Sequence, residues 1–156
     1  MIRIDIPGAV LLEIEHFVID FSGTLSVDGV LIPRVKEELN ELAERLHIHV
    51  LTSDTFGKAR EELEGIKCTV KILDGDDHMG QKERYVLSLG AKRVTALGNG
   101  NNDARMLKAA GIGIAVCLKE GCSVEALTSA KILVRSPIDA IALLLNPKRL
   151  IATLRI

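Results

Sequence analysis

Residues Phe17 to Leu25 read FVIDFSGTL, and this stretch places a carboxylate directly after an apolar run. The run predicts a buried strand, with Asp20 at its carboxyl end. In open α/β sheets the ligand crevice lies outside the carboxyl ends of the strands, so Asp20 is a candidate functional acid from its position. Ordinary turn chemistry is the competing interpretation, because Ser22 and Thr24 suit hydrogen bonds to a local turn or helix end.

The composition indicates one α/β domain over residues 1–156. Hydrophobic residues make up 47% of the chain, aromatic residues only 3%, and there is no Trp. A core of Ile, Leu, Val and Ala is typical of a parallel sheet covered by helices, and this length supports one core. The 20 basic and 21 acidic residues nearly cancel. We therefore expect neither a nucleic-acid partner nor a membrane partner.

Cysteine usage and the N-terminus indicate a soluble, cytoplasmic protein. The three cysteines, Cys68, Cys117 and Cys122, are too few and too unevenly spaced for a disulfide framework, so we interpret them as reduced thiols. The N-terminal MIRIDIPG lacks the pattern of a signal peptide. No apolar run approaches the roughly 18 residues of a membrane span.

Predicted strands and helices alternate along the chain. Residues 2–14 predict a β-hairpin around a Pro-Gly turn. Pro33 is the predicted first position of an amphipathic helix, and a further helix is predicted from Gly80 to Leu89, with Gln81 and Lys82 in its opening turn. Further strands are predicted within residues 47–54, 68–73, 93–97, 111–116 and 131–136. This alternation predicts a mostly parallel sheet flanked by helices.

Two later segments repeat the pattern of an apolar run that ends in polar residues. The polar residues at these ends are Thr52, Ser53, Asn99, Asn102 and Asp103. Gly98 and Gly100 would let the backbone approach a ligand closely. Each segment alone also fits a turn or a helix cap. Because the carboxyl ends of parallel strands share one edge of a sheet, we expect these residues to meet Asp20 and Lys82 there.

This set of side chains suits phosphoryl transfer. Carboxylates bind a hard cation such as Mg²⁺, while hydroxyls and a lysine surround an oxyanion. Mg²⁺ would offset the repulsion between anionic Asp20 and a phosphate dianion, and Lys82 would hold the charge that develops. We interpret His47 and His49 as structural residues at a strand entrance, and the acidic segment 74–80 as a solvated turn.

The order of DFSGT, LTSD, a helical Lys and GNGNND resembles the haloacid dehalogenase (HAD) superfamily of aspartyl-phosphate enzymes over residues 17 to about 145. Within it, the chain is most similar to the phosphorylation domain of P-type ATPases, since DFSGT resembles DKTGT and GNGNNDARML resembles GDGxNDAPAL. The resemblance implies a three-layer α/β/α Rossmann-like fold. It also implies a Mg²⁺-dependent phosphohydrolase that acts through an aspartyl-phosphate on a phosphorylated small molecule or protein.

The resemblance also implies a role for each matching residue. Asp20 would be the phosphorylated nucleophile, and the backbone carbonyl of Ser22 would bind the metal. Thr52 would bind the phosphoryl group, and Lys82 would pair with Asp20 and the phosphate. Asn102 and Asp103 would orient the metal and the nucleophile. The implied substrate contacts are Gly23, Thr24, Ser53 and Asn102, and the implied metal positions are Asp20, Ser22, Asn99 and Asp103.

Two residues depart from the family pattern. Phosphatases of this superfamily usually carry a second Asp where Ser22 stands, and a missing general acid and base costs a factor of about 10²–10⁴. We therefore expect slow turnover and a long-lived phosphoenzyme. Asn99 replaces an Asp that binds the metal, which removes one negative charge and lowers the expected Mg²⁺ affinity. A non-catalytic binding or regulatory module with the same fold is the alternative interpretation.

Short connections predict a capless site. Residues 25–51 and 53–81 leave no room for a sizeable inserted domain, which excludes ATP-driven transport by this chain alone. An open site suits a macromolecular substrate or shielding by a second subunit, and is thus compatible with a homo-oligomer. Asp28 is a further candidate for the missing acid, although a turn role before Gly29 is the simpler interpretation.

Overall fold

A computed structural model describes residues 1–54 and 57–156, and its centre is a six-stranded parallel sheet. The strands are β1 Ile2–Asp5, β2 Leu11–Ile14, β3 His16–Asp20, β4 Ser26–Val27, β5 Val30–Leu31, β6 His47–Thr52, β7 Thr69–Ile72, β8 Val94–Gly98, β9 Ile112–Val116 and β10 Ile132–Val134. The helices are α1 Val35–Leu42, α2 Ala59–Glu62, α3 His78–Ser88, α4 Ala104–Ala109, α5 Val124–Ser129, α6 Pro137–Leu145 and α7 Pro147–Leu154. Single 3-10 turns lie at Ala91–Arg93 and Asn101–Asp103.

Strand β3 lies at the point where the strand order reverses. The order is β10-β9-β8-β3-β6-β7, so the chain continues from β3 to β6 on one side and later returns to β8 on the other. Asp20, the last residue of β3, pairs in register with Leu51 of β6. Ligands of doubly wound sheets bind at such a reversal, outside the carboxyl ends of the strands. The topology therefore places Asp20 where a ligand crevice forms.

Both faces of the sheet are covered, which explains the continuous apolar run in β3. Phe17 and Ile19 face the core that includes α1 and α6, whereas Val18 faces the core that includes α3 and α4. All three side chains are fully buried. A strand buried on both faces carries apolar residues at consecutive positions rather than alternating ones. The predicted three-layer α/β/α fold is confirmed.

The predicted N-terminal hairpin is also confirmed. Strands β1 and β2 pair in antiparallel register as a separate two-stranded sheet, with Ile4 and Ile14 fully buried. A second small ribbon, β4 with β5, follows β3 and forms the flap, defined here as residues 26–31. In the described ranges, no helix has the length and apolar character needed to cross a membrane.

The predicted start of α1 at Pro33 is wrong. The helix begins at Val35, because Arg34 has a left-handed backbone conformation with φ 72° that a helix cannot contain. Pro33 therefore lies outside the helix.

The predicted start of α3 at Gly80 is two residues too late. Asp77 caps the helix by accepting a hydrogen bond from the Gly80 N–H, and α3 begins at His78. Part of the segment that we interpreted as a solvated turn is therefore the first turn of α3, and Lys82 lies one turn inside the helix.

Candidate active site

A cavity of about 350 Å³ lies at the carboxyl ends of the central strands. Its lining comprises Asp20, Ser22, Thr52, Ser53, Leu73, His78, Lys82, Asn99, Gly100 and Asn102. The three polar segments predicted to meet at this edge therefore share one cavity with Lys82. Gly23, Thr24 and Asp103, which are also predicted site residues, are buried outside the lining.

Lys82 is a buried cation held between two carboxylates. Its Nζ donates to Asp20 Oδ1 and to Asp103 Oδ1, each at 2.7 Å, and to Asn102 Oδ1 at 3.2 Å. The side chain is only 2% exposed. Burial disfavours its charged form, but the two carboxylates outweigh this effect and raise the pKa of Lys82. The ammonium group therefore keeps its proton throughout the physiological pH range.

Asp20 is unusually basic for a carboxylate. Burial and the nearby Asp103 carboxylate raise the pKa of Asp20 to about 6, although Lys82 and the Thr24 hydroxyl oppose the shift. At pH 7 and above, the ionised form predominates. Asp20 is thus an anion of raised basicity at the floor of a cavity, which is a suitable state for a nucleophile.

Asp103 stabilises the loop that follows β8 through hydrogen bonds to its backbone. Its Oδ2 accepts hydrogen bonds from the backbone N–H groups of Asn99 at 3.0 Å and Gly100 at 2.9 Å, while Oδ1 accepts from Lys82. A Cβ atom at Gly98 would lie about 2.5 Å from the Asp103 side chain, so only glycine fits there. Asp103 makes no side-chain cap bond to α4. Its carboxylate instead joins this loop to Lys82.

Thr24 lies between two acceptor oxygens. Its hydroxyl is 3.1 Å from Asp20 Oδ2 and 3.2 Å from Asn99 Oδ1. A hydroxyl has one proton, so only one of these oxygens can accept it at any moment. The Asn99 amide nitrogen donates to the Gly121 carbonyl at 3.2 Å, and its Oδ1 is left facing the Thr24 hydroxyl. Acceptor oxygens therefore outnumber donors at this point.

This excess of acceptor oxygens fits a hard cation. Mg²⁺ is commonly held by one or two carboxylates together with water and substrate phosphate, rather than by a complete protein cage. Asp20, the Ser22 carbonyl and the Asn99 amide offer such a set of oxygens. Across the described ranges, no group of three or more His, Cys, Asp or Glu side chains is arranged to hold a metal.

Three residues near Asp20 have distinct local environments. Gly23 has φ 74°, and a Cβ atom there would lie 2.5 Å from Asn99 Nδ2, so the close approach of the two segments requires glycine. Ser22 is exposed. On the next strand, the buried Thr52 hydroxyl accepts a hydrogen bond from the Asp54 N–H at 2.9 Å, which leaves its own proton for another acceptor.

The structure adds His78 and Leu73 to the cavity lining, and sequence reasoning missed both. The signal for His78 was Asp77, an N-cap residue type that marks a helix start and so places the next side chain beside the sheet edge. Asp28 lies outside the lining. It has φ 53°, and its backbone N–H donates to Glu120 Oε1 at 3.2 Å, which suits a turn residue of the flap.

Comparison with known proteins gives a family match over part of the chain and a fold match over most of it. The sequence profile of the haloacid dehalogenase-like hydrolases matches residues 84–130. A putative HAD family hydrolase from Streptomyces avermitilis superposes with a TM-score of 0.69 at 19% identity, over 87% of each chain. The chain therefore matches the HAD-like hydrolases in sequence over residues 84–130 and in fold over most of its length. An uncharacterized protein of Methanocaldococcus jannaschii is 47% identical over 64 residues, which are 41% of this chain and 69% of that protein.

Solved structures of phosphatases share the HAD fold of this chain. The 3-deoxy-D-manno-octulosonate 8-phosphate phosphatase from Moraxella catarrhalis, solved with a magnesium ion, a phosphate ion and the KDO molecule, has a TM-score of 0.70 at 18% identity. The aligned region covers 90% of this chain and 92% of that phosphatase chain. The cobalt-bound deoxy-D-mannose-octulosonate 8-phosphate phosphatase from Haemophilus influenzae has a TM-score of 0.66 at 14% identity, over 88% and 90%. At these identities the likeness establishes a common fold, while the similarity to P-type ATPases rests on the sequence motifs.

Proposed function

We propose that this chain is a Mg²⁺-dependent phosphatase that forms an aspartyl-phosphate on Asp20. The observation that carries the proposal is the Asp20 carboxylate at the floor of the cavity, 2.7 Å from the buried Lys82 ammonium. Phosphatases with the same fold, one of them solved with magnesium and phosphate ions, support it. The expected substrate is a phosphorylated small molecule, which a cavity of about 350 Å³ accommodates.

Asp20, the Ser22 carbonyl and the Asn99 amide would hold the cation, with Asp103 fixing the loop that carries Asn99. When bound, Mg²⁺ would supply positive charge that lets a phosphate dianion approach the anionic Asp20. The single carboxylate among these three ligands predicts weaker binding than a set with two.

Asp20, Lys82 and Thr52 have different roles in the phosphoryl transfer. An Asp20 oxygen attacks phosphorus, the bond from phosphorus to the leaving oxygen breaks, and an aspartyl-phosphate results. The Lys82 ammonium and the Thr52 hydroxyl donate to the phosphoryl oxygens, where negative charge collects. Water then attacks the aspartyl-phosphate, which releases inorganic phosphate and restores the Asp20 carboxylate.

Ser22 limits the rate of this cycle. The serine hydroxyl cannot exchange a proton near neutral pH as a carboxyl group does, so it gives poor help to the leaving group and to the attacking water. We therefore propose slow turnover, with the second step slower than the first.

Asp20→Asn tests the proposal directly. The amide is nearly isosteric but not nucleophilic, so phosphoryl transfer to the protein and hydrolysis of 4-nitrophenyl phosphate with excess Mg²⁺ should both fall by at least about 10⁴-fold. Acid-quenched protein labelled with a radioactive phosphoryl donor measures the first quantity, and nitrophenolate absorbance measures the second.

Asp28→Asn is the matched control, because Asp28 is an exposed flap residue outside the cavity lining. This variant should label and turn over like the wild type. A wild-type protein that neither labels nor hydrolyses would sink the proposal and leave the non-catalytic binding module as the better account.

Ser22→Asp tests the proposed cause of slow turnover. The added carboxyl group should speed steady-state hydrolysis by about 100-fold, since general acid and base catalysis contributes about 10²–10⁴. It should also shorten the lifetime of the labelled phosphoenzyme in a chase with unlabelled donor. Ser22→Asn, which adds similar bulk without a titratable group, is the control, and equal rates for both variants would contradict this account.

A further inference from the structure

We propose that His78 carries the proton transfers of this site as its general acid and base, less effectively than the carboxyl group that position 22 lacks. The inference rests on the proposed phosphatase function and assigns its proton transfers. His78 lines the same cavity as Asp20 and Ser22.

Among the lining residues, His78 is the candidate for proton transfer. The titratable side chains of the described lining are Asp20, His78 and Lys82. Asp20 is the nucleophile and is consumed in the bond to phosphorus. Lys82 is buried between two carboxylates at 2.7 Å and keeps its proton. Imidazole is the side chain whose ordinary titration range suits proton transfer near neutral pH.

The backbone of His78 is fixed by hydrogen bonds at the start of α3, while its imidazole is available for proton transfer. It is the first residue of the eleven-residue helix α3, whose start is fixed by the hydrogen bond from Gly80 N–H to the Asp77 carboxylate at 2.9 Å. The His78 N–H donates to the Asp76 carbonyl at 3.1 Å. Within the part of the chain that the structure describes, the imidazole, which is half-buried, makes no hydrogen bond or ion pair.

Two nearby carboxylates are engaged elsewhere. The Asp54 side chain accepts a hydrogen bond from the Ala59 N–H at 2.9 Å and lies outside the lining. The Glu120 carboxylate accepts from the Asp28 N–H of the flap and is outside the lining too. Neither faces the cavity in which a leaving group would sit.

The proton balance of the two steps is complete with His78. In the first step the bond from phosphorus to the leaving oxygen breaks, a bond to Asp20 forms, and imidazolium gives its proton to the leaving oxygen. In the second step neutral imidazole takes a proton from water as the water oxygen bonds to phosphorus and the bond to Asp20 breaks. The products are an alcohol, inorganic phosphate and the original protonated His78.

The dependence on the leaving group tests this assignment. 4-Nitrophenolate leaves without a proton, whereas the alkoxide of glycerol 2-phosphate requires one. In single-turnover experiments with Mg²⁺, His78→Gln should slow release of glycerol by about 100-fold or more, but release of nitrophenolate by less than about tenfold. In steady state with 4-nitrophenyl phosphate, the burst expected of the wild type should be followed by a slower linear phase in the variant, because the second step still needs the base.

His47→Gln is the matched control, since His47 is an exposed histidine at the opposite end of the sheet. It should leave both single-turnover rates unchanged. His78→Asn is a second variant that should reproduce the split between the two substrates, and the melting temperature of each variant verifies its fold. Equal slowing of both substrates, or no slowing of either, overturns the inference and leaves the proposed phosphatase in place. Absence of hydrolysis by the wild type would instead overturn the phosphatase itself.

Discussion

Titratable side chains lie at both ends of strands β3 and β6. They are charged at one end and neutral at the other. At the carboxyl ends, the Lys82 ammonium lies between the carboxylates of Asp20 and Asp103. At the amino ends, His16 and His49 form hydrogen bonds with uncharged partners. The same pair of strands therefore supports an ionic network at one edge of the sheet and a neutral one at the other.

The neutral network is a chain of three side chains. The Nδ1 atom of His16 is 3.0 Å from His49 Nε2, and His49 Nδ1 is 2.9 Å from the Tyr85 hydroxyl. Burial and the neighbouring rings of His16 and His47 lower the pKa of His49 to about 4. Burial and His47 also lower the pKa of His16. Both rings are thus neutral at pH 7.

The difference follows from the partners that each end supplies. A buried ion is retained when an opposite charge and hydrogen bonds compensate its lost hydration, and it is neutralised when they are absent. Lys82 has two carboxylate partners, while no carboxylate accepts a hydrogen bond from His16 or His49 in the described ranges. The carboxyl edge therefore keeps buried charges in the folded state, whereas the buried rings at the amino edge are neutral.

Lys82→Met should have the largest effect on the free energy of unfolding, because it removes the cation of the ionic network at the carboxyl ends of the strands. The variant leaves Asp20 and Asp103 buried side by side without a cation, and removal of one partner of a buried pair costs about 3–5 kcal/mol. The loss should be largest at pH 8 and smaller at pH 5, where Asp20, with its pKa near 6, can take up a proton. Urea unfolding at both pH values measures it, and turnover should fall below detection.

Lys67→Met is the control for this variant. Lys67 also pairs with a carboxylate, that of Glu44, but both side chains are about two-thirds exposed. Exposed pairs contribute little to stability, so the unfolding midpoint should hardly move. Equal effects of the two substitutions would show that burial does not set the strength of the Lys82 network.

The sequence predicted the ionic end better than the neutral one. Asp20, Lys82 and the loop after β8 could be placed together because each follows or flanks an apolar run, and the carboxyl ends of parallel strands share one edge. The pairing of His16 with His49 depends on the register that sets Val18 opposite His49, which no local pattern encodes. We interpreted His49 as a residue at a strand entrance, whereas it is a buried member of a hydrogen-bonded chain.

Some features of the site also depend on distant contacts. Gly23 is required because Asn99 packs against it, and these residues lie on different strand ends. His78 enters the cavity because the Asp77 cap moves the start of α3 four residues ahead of Lys82, in a segment whose acidic composition suggested a solvated turn. Such contacts arise from tertiary packing, so hydrophobic periodicity does not reveal them.

Acidification should change the stability contributions of the two ends in opposite directions, because the pKa of Asp20 is raised and the pKa of His49 is lowered. His49 has a folded-state pKa below its ordinary value of 6.5, so the stability that it contributes is present above pH 6.5 and is lost as the pH falls towards 4. Asp20 has a folded-state pKa of about 6, above its ordinary 3.8, so its protonation stabilises the fold over nearly the same range. Each group changes the free energy of unfolding by up to about 1.4 kcal/mol per pH unit within its range.

Single variants should expose the two opposing contributions. In metal-free buffer between pH 7 and pH 4.5, Asp20→Asn should lose stability more steeply than the wild type, since only the histidine contribution remains. His49→Gln should lose it less steeply. Free energies of unfolding from urea titrations at four pH values give the slopes, and identical slopes for all three proteins would contradict the shifted pKa values.

Tyr85→Phe gives the smallest expected effect and asks whether the two ends are independent. Tyr85 and Lys82 lie on the same helix, α3, one turn apart, but their polar atoms join different networks. Loss of the hydroxyl removes one hydrogen bond to His49 and should cost about 1 kcal/mol at pH 8. Because the Lys82 contacts do not involve Tyr85, hydrolysis of 4-nitrophenyl phosphate should stay within about twofold of the wild type at 25 °C, where the fold remains fully populated. A tenfold fall in turnover with an unchanged unfolding midpoint would mean that the neutral network positions α3, and hence Lys82, for the chemistry at the other end.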